Sequence, residues 1–231
     1  TQYAIALAVG TATNFFLVMV LVVAAEWVYR HAFPAHRPLQ TWFTRDGISS
    51  PEGRRRVWLG YGMIGLHLGY VTLFYYLTER WLGGWSPSTV AYDDLLGTAM
   101  PWWFALFIGA SAAVMEEFFF RVLAISWLKR WVKWEWLAIF IPAVIWAFLH
   151  CNYPNQPFFI RGIELTIWGC VFGYVFTRFG PLPVLIAHAG FNAIVTGEWF
   201  LGSAHWSSRL SFAFVALAVL IPLALAYWPR R

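Results

Sequence analysis

Apolar residues in this chain fall in long, nearly unbroken stretches, not in the narrow stripes of surface helices that are half wet. A helix needs about 20 mostly apolar residues to cross the hydrocarbon core of a bilayer. Seven stretches approach that length: 4–28, 57–77, 101–128, 136–151, 160–178, 183–200 and 208–228. The pattern predicts an all-α fold, a polytopic transmembrane helix bundle of about seven helices in a single membrane-embedded domain over residues 1–231. The third stretch is interrupted by Glu116, Glu117 and Arg121, while its flanks stay strongly apolar. The fourth and sixth are short for a perpendicular crossing and are expected to be tilted, broken or sheltered by neighbours. The one long polar stretch, 30–56, is rich in Arg, Pro and Ser and reads as a loop with a short interfacial helix.

Charge supports the same reading. The loop 30–56 carries Arg30, Arg37, Arg45, Arg54, Arg55 and Arg56. The next loop has Arg80 against Glu79, Asp93 and Asp94, and the third carries Lys129, Arg130 and Lys133. Arg161, Arg178 and Arg209 follow one per loop, and the tail ends in Arg230 and Arg231. Alternate loops thus hold twelve basic residues on one side and three on the other, with Arg121 inside the bundle. Basic loops stay cytoplasmic, so the expected orientation has the first terminus outside and the C-terminus cytoplasmic.

Composition removes the soluble alternatives. Hydrophobic residues make up 60% and charged residues 12%, against about 25% charged in soluble domains. The surplus apolar surface therefore has to face lipid. The net charge of +5 would suggest nucleic acid in a soluble protein; here the basic residues orient the chain, and no nucleic-acid partner is expected. Cys151 and Cys170 offer neither a disulfide framework nor a metal cluster. Thr1 in place of Met suggests processing or excision from something longer. No separate signal peptide is expected, because the first apolar run is long enough to span.

Ionisable groups inside a span are costly and normally face a cavity or a partner. Three clusters stand out. In Glu116-Glu117-Phe118-Phe119-Phe120-Arg121, Glu117 and Arg121 are four apart and can pair on one face. Glu116 is rotated about 100° away and is left to titrate or hold a water. His150 closes the fourth run. His188 and Asn192, again four apart, share a face of the sixth, where Ala187, Ala189 and Gly190 allow close approach of another helix. At about 1.5 Å per residue, Glu116, His150 and Asn192 lie roughly 20, 21 and 15 Å from the cytoplasmic ends, and His188 roughly 9 Å. Each cluster also has a structural reading, as an ion pair, an interfacial histidine or interhelical hydrogen bonding. His67 and Glu164 are lone polar groups without a patterned partner and read as structural. No G-x-S-x-G or H-E-x-x-H pattern occurs.

The ordered trio EEFFFR at 116–121, WAFLH at 146–150 and HAGFN at 188–192 resembles the CAAX protease and bacteriocin-processing enzyme (CPBP) family. That family carries Glu-Glu-x-x-x-Arg, Phe-x-x-x-His and His-x-x-x-Asn motifs on successive spans. The resemblance covers about residues 100–200 and includes Gly169 and Gly173 on the helix before the last motif. It departs at Trp146, where the family usually has Phe; a bulky ring is kept one turn before His150.

The resemblance implies an intramembrane endopeptidase acting on a membrane-associated peptide or protein, in a bacterial or archaeal plasma membrane. Glu116, assisted by His150, would activate a water, His188 and Asn192 would stabilise the oxyanion, and Glu117 and Arg121 would support the helix. Peptide hydrolysis needs such a base and such donors. A metal-free reaction is favoured; the alternative is Zn²⁺ held by Glu116, His150 and His188. A non-catalytic binding, scaffold or bacteriocin self-immunity protein of the same fold is the competing reading. A transporter is disfavoured for want of matched halves.

Overall fold

The computed structural model describes residues 2–86, 98 and 100–228. Thr1, Asp93, Asp94, Arg230 and Arg231, which entered the sequence reading, lie outside the described residues. Among the described residues the fold is helical throughout. Its main helices are α1 (Gln2–Ala32), α4 (Pro51–Leu82), α5 (Pro101–Glu116), α7 (Glu135–Phe148), α8 (Ile160–Phe179), α9 (Pro181–Gly197) and α10 (Trp206–Val219). Short helices α2 (Leu39–Trp42) and α3 (Arg45–Ser49) fill the basic loop, α6 (Ser126–Leu128) ends the third stretch, and α11 (Ile221–Tyr227) ends the last.

Among the described residues five segments are long and apolar enough to cross a bilayer: Val9–Ala32, Pro51–Leu82, Pro101–Leu128, Pro181–Gly202 and Trp206–Tyr227. Helix α7 is apolar but has 14 residues, about 21 Å at the α-helical rise. Helix α8 has 20 residues but dilutes its apolar run with Arg161, Glu164 and Arg178. Both pack against one another along their lengths. Large apolar side chains such as Phe15, Trp103 and Trp206 point outward, 67%, 60% and 74% exposed. That much apolar surface is tolerated where lipid is the solvent, and the protein is an integral membrane protein.

Local chemistry sets the helix ends. The Ser50 hydroxyl accepts from the Gly53 N–H at 3.0 Å with Pro51 in the first turn, starting α4. Gly83, at φ 62°, stops it in the left-handed conformation that costs a residue with a Cβ most. Gly180, at φ 74°, breaks α8 from α9 directly before Pro181. The basic loop folds back on the bundle, with Leu39, Trp42 and Ile48 buried and the Leu39 N–H donating to Glu26 at 3.1 Å.

Helix α9 is the axis of the bundle. It packs against α4 on one side and α5 on the other, and touches α8 and α10. A Cβ added at Gly109 of α5 would lie 2.6 Å from the Ala189 carbonyl oxygen, and one at Gly190 of α9 would lie 2.4 Å from the tip of Ile64. The small residues seen in the HAGFN motif therefore admit two neighbours. Between α5 and α6 the chain widens into a π-helical segment, Glu117–Ile125, a conformation that is rare and concentrates at functional sites.

These contacts differ in how they can relax. Backbone oxygen cannot move aside, so Gly109→Val should cost about 1–3 kcal/mol. Gly62→Ala, with open space around it, should cost nothing measurable. Thermal melting of the two variants in detergent checks the contrast.

Candidate active site

The buried carboxylate of Glu117 organises the site. It opens the π-helical segment, is fully buried, and lies 3.1 Å from the Arg121 guanidinium, the pair expected from the four-residue spacing. Its Oε1 also meets His188 Nδ1 at 2.7 Å, a contact between α9 and the π-segment that the sequence reading did not contain. A lone carboxylate in such a place would be severely destabilising; here one Arg and one imidazole share it. The Arg121 guanidinium also sits over the rings of Trp146 and Phe172, 4.1 and 5.4 Å from their centroids. Such stacking suits a planar, weakly hydrated cation.

Glu116, one residue earlier, faces the other way, into a cavity of about 630 Å³. Its Oε2 accepts the Trp146 indole N–H at 2.5 Å. The same oxygen lies 3.9 Å from His150 Nε2 and 3.8 Å from His188 Nε2. Asn192 lines the same cavity. Glu116, His150, His188 and Asn192, from three separate stretches of sequence, therefore share one cavity. The mismatch in estimated depth does not keep them apart, because that count assumed helices starting in one plane and packing imposes no such plane.

Hydrogen bonding fixes the tautomers. His150 Nδ1 lies 2.8 Å from the Trp146 carbonyl, and a carbonyl only accepts, so the proton is on Nδ1. Neutral His150 then offers a lone pair at Nε2, toward Glu116. The 3.9 Å gap is too wide for a direct bond and fits a shared water. His188 gives Nδ1–H to Glu117, so its Nε2 donates only when the ring is an imidazolium.

Two sequence expectations need correction. Trp146 is more than a bulky ring: its indole N–H bonds the candidate base, which Phe could not do. Glu164 is not a lone polar group. It is fully buried and forms an ion pair and hydrogen bond with Arg161 three residues before it, and Arg161 lines the cavity instead of standing in a loop. A helical i, i+3 spacing was the available signal, hidden because Arg161 was counted as a loop charge. His67 is buried, stacked on Phe191 and Trp168, and borders the same cavity.

A zinc ion at the alternative ligands Glu116, His150 and His188 would need these side chains drawn closer than they stand. Bonds near 2.0–2.1 Å bring tetrahedral ligands to roughly 3.3 Å of each other. The imidazole nitrogens stand wider than that from Oε2, which is already engaged by the indole. Among the described residues no group of three or more His, Cys, Asp or Glu is arranged to hold a metal ion.

Comparison with known proteins matches residues 98–194 to the family described as type II CAAX prenyl endopeptidase Rce1-like. The sporulation-killing factor biosynthesis protein SkfC of Bacillus subtilis (strain 168) is 32% identical over 85 residues, 36% of this chain and 17% of that protein. The alignment thus spans less than a fifth of that relative's length. No solved structure matches.

The Glu117–Arg121 pair has a testable energetic role. Arg121→Met leaves Glu117 buried with only His188 and should cost about 3–5 kcal/mol. Glu117→Gln with Arg121→Gln, which removes both charges, should recover most of that loss. Melting temperatures of the single and double variants decide it.

Proposed function

We propose, from the match of residues 98–194 to the Rce1-like family of type II CAAX prenyl endopeptidases, that the chain is an intramembrane endopeptidase. It hydrolyses a peptide bond in a membrane-associated peptide or protein. The observation that carries the reading is the convergence on Glu116: one carboxylate oxygen held by an indole N–H, with two imidazole nitrogens within 3.9 Å, in a cavity.

A water between Glu116 and His150 Nε2 loses a proton to the glutamate as its oxygen attacks the scissile carbonyl. The C=O π pair moves onto oxygen. That oxyanion is stabilised by the Asn192 side-chain N–H and by His188 Nε2–H, with the ring's Nδ1–H kept on Glu117. Charge stabilisation of this kind is worth most in a low-dielectric site. The C–N bond then breaks, and the proton passes to the leaving amine through Glu116 or His150, the same groups serving as base and then acid. Trp146 holds Oε2 so that the carboxylate presents one fixed face to the water, and Arg121, stacked on the indole, holds Trp146. No metal is required.

The proposed orientation, with the C-terminus cytoplasmic, gives the cavity a direction. Its lining runs from Glu116 to Ser86, Tyr153, Asn155 and Glu198, at the helix ends opposite the basic loops. That end of the cavity then faces away from the cytoplasm.

Glu116→Gln should abolish cleavage of a membrane-protein substrate while leaving insertion and melting nearly unchanged; retained cleavage would sink the assignment. Trp146→Phe should fold and lose on the order of 10-fold in kcat, as expected for a displaced general base. Activity of the purified protein should survive a strong chelator, and activity that returns only on adding Zn²⁺ would overturn the metal-free reading.

A further inference from the structure

The proposed reaction uses one end of the cavity. At the other end stands a second ionic group with no part in it. Arg161, on the first turn of α8, donates through Nη1 to the Glu164 carboxylate. Glu164 is fully buried and is fixed from behind: Tyr75 donates its hydroxyl to Glu164 Oε2 at 3.5 Å, and Tyr70 donates to the Glu164 backbone carbonyl at 2.8 Å. The Arg161 guanidinium lies 5.3 Å from the Tyr153 ring centroid, and the Tyr153 ring lies 6.2 Å from that of His150. Arg161 and Tyr75 line the same cavity as Glu116. The cation is therefore one aromatic ring beyond the imidazole proposed to share the water.

We propose that Arg161 is a substrate-recognition residue, taking a carboxylate of the peptide that occupies the cavity. Three observations carry it. A guanidinium has five N–H donors in a rigid fork; Glu164 engages it through Nη1 and the Tyr75 hydroxyl also bonds it, which together leave donors over. Arg161 Nε is buried with no hydrogen-bond partner, so the protein itself leaves the cation incompletely satisfied. The side chain keeps 20% of its surface open while its partner keeps none, and of the pair it is Arg161 that lines the cavity. An ion pair serving packing alone could be replaced by apolar side chains of similar volume at little cost. A cation aimed into a membrane cavity and braced from behind is the arrangement that binds an anion, and the planar fork matches a carboxylate. That carboxylate has two sources, the C-terminus of the peptide or an Asp or Glu side chain near the scissile bond.

The inference rests on the proteolytic reading only in taking the occupant to be a peptide, so it is tested by binding and not by turnover. The probes are fluorescent apolar heptapeptides in three forms: a C-terminal acid, a C-terminal amide, and the amide with one Glu at successive positions. They are titrated onto the full-length Glu116→Gln protein in detergent. The expected result is a carboxylate form binding about tenfold or more tightly than the plain amide, as a charge-assisted contact provides. A gain for the acid identifies the chain terminus, and a gain confined to Glu-containing amides identifies a side chain. Adding Arg161→Gln with Glu164→Gln, which neutralises both members and leaves no orphaned charge, should erase the preference, bringing the carboxylate forms down to the plain amide's affinity for the same variant. Arg161→Lys, which keeps the charge but not the fork, should retain part of it. Equal binding of acid, Glu-containing amide and plain amide overturns the proposal, as does a preference that survives in the double variant. Loss of proteolysis with the binding preference intact would count against the reaction and not against Arg161.

Discussion

The structure depends on neutralising one carboxylate in a place without water. Glu117 has no exposed surface, so its charge has to be met by groups brought from elsewhere. Arg121 comes from the next turn and His188 from a helix 71 residues away. Meeting that demand pins α9 against the π-helical segment, and α9 is the helix that α4 and α5 both pack on. The stabilising network and the proposed catalytic one therefore share a side chain, and neither can be altered without reaching the other.

Adjacent glutamates with opposite fates are the next consequence. Glu117 turns into the bundle, while Glu116 turns to the cavity and takes the indole of Trp146. The same indole is covered on its face by Arg121, so the cation that balances Glu117 also bears on the ring that positions Glu116. Small residues make this economical, because close approach at Gly109 and Gly190 lets three helices converge without large side chains filling the space.

Much of this was legible in the sequence for physical reasons. Hydrocarbon imposes a length and a composition on a spanning helix, so the helical class and the helix positions could be read directly. The spacing of Glu117 and Arg121 encodes a shared face, and their pair forms. What could not be read depended on contacts between distant segments. The bond from His188 to Glu117 joins two motifs that sequence spacing treats as independent. The π-helical register has no compositional mark in EFFFRVLAI. Arg161 was misplaced because a charge near an apolar boundary looks like a loop charge until its partner is known. The role of Trp146 was missed because a difference between two aromatic rings was weighed by size, when the indole N–H was the part that mattered. The number of crossings is similarly a question of context: α7 and α8 sit at the expected places, but one is short and the other carries charge that only its neighbours shelter.

His188 touches the carboxylate of the core through one nitrogen and faces that of the cavity through the other. A single ring thus couples two acids that are neighbours in sequence and opposed in direction. Any occupant that displaces Glu116 or the ring disturbs the contact that balances Glu117, because both carboxylates meet the same imidazole. By reciprocity, whatever loosens the packing of α9 alters affinity in the cavity by the same free energy. The resilience of the folded bundle and the occupancy of its cavity are then two readings of one shared contact.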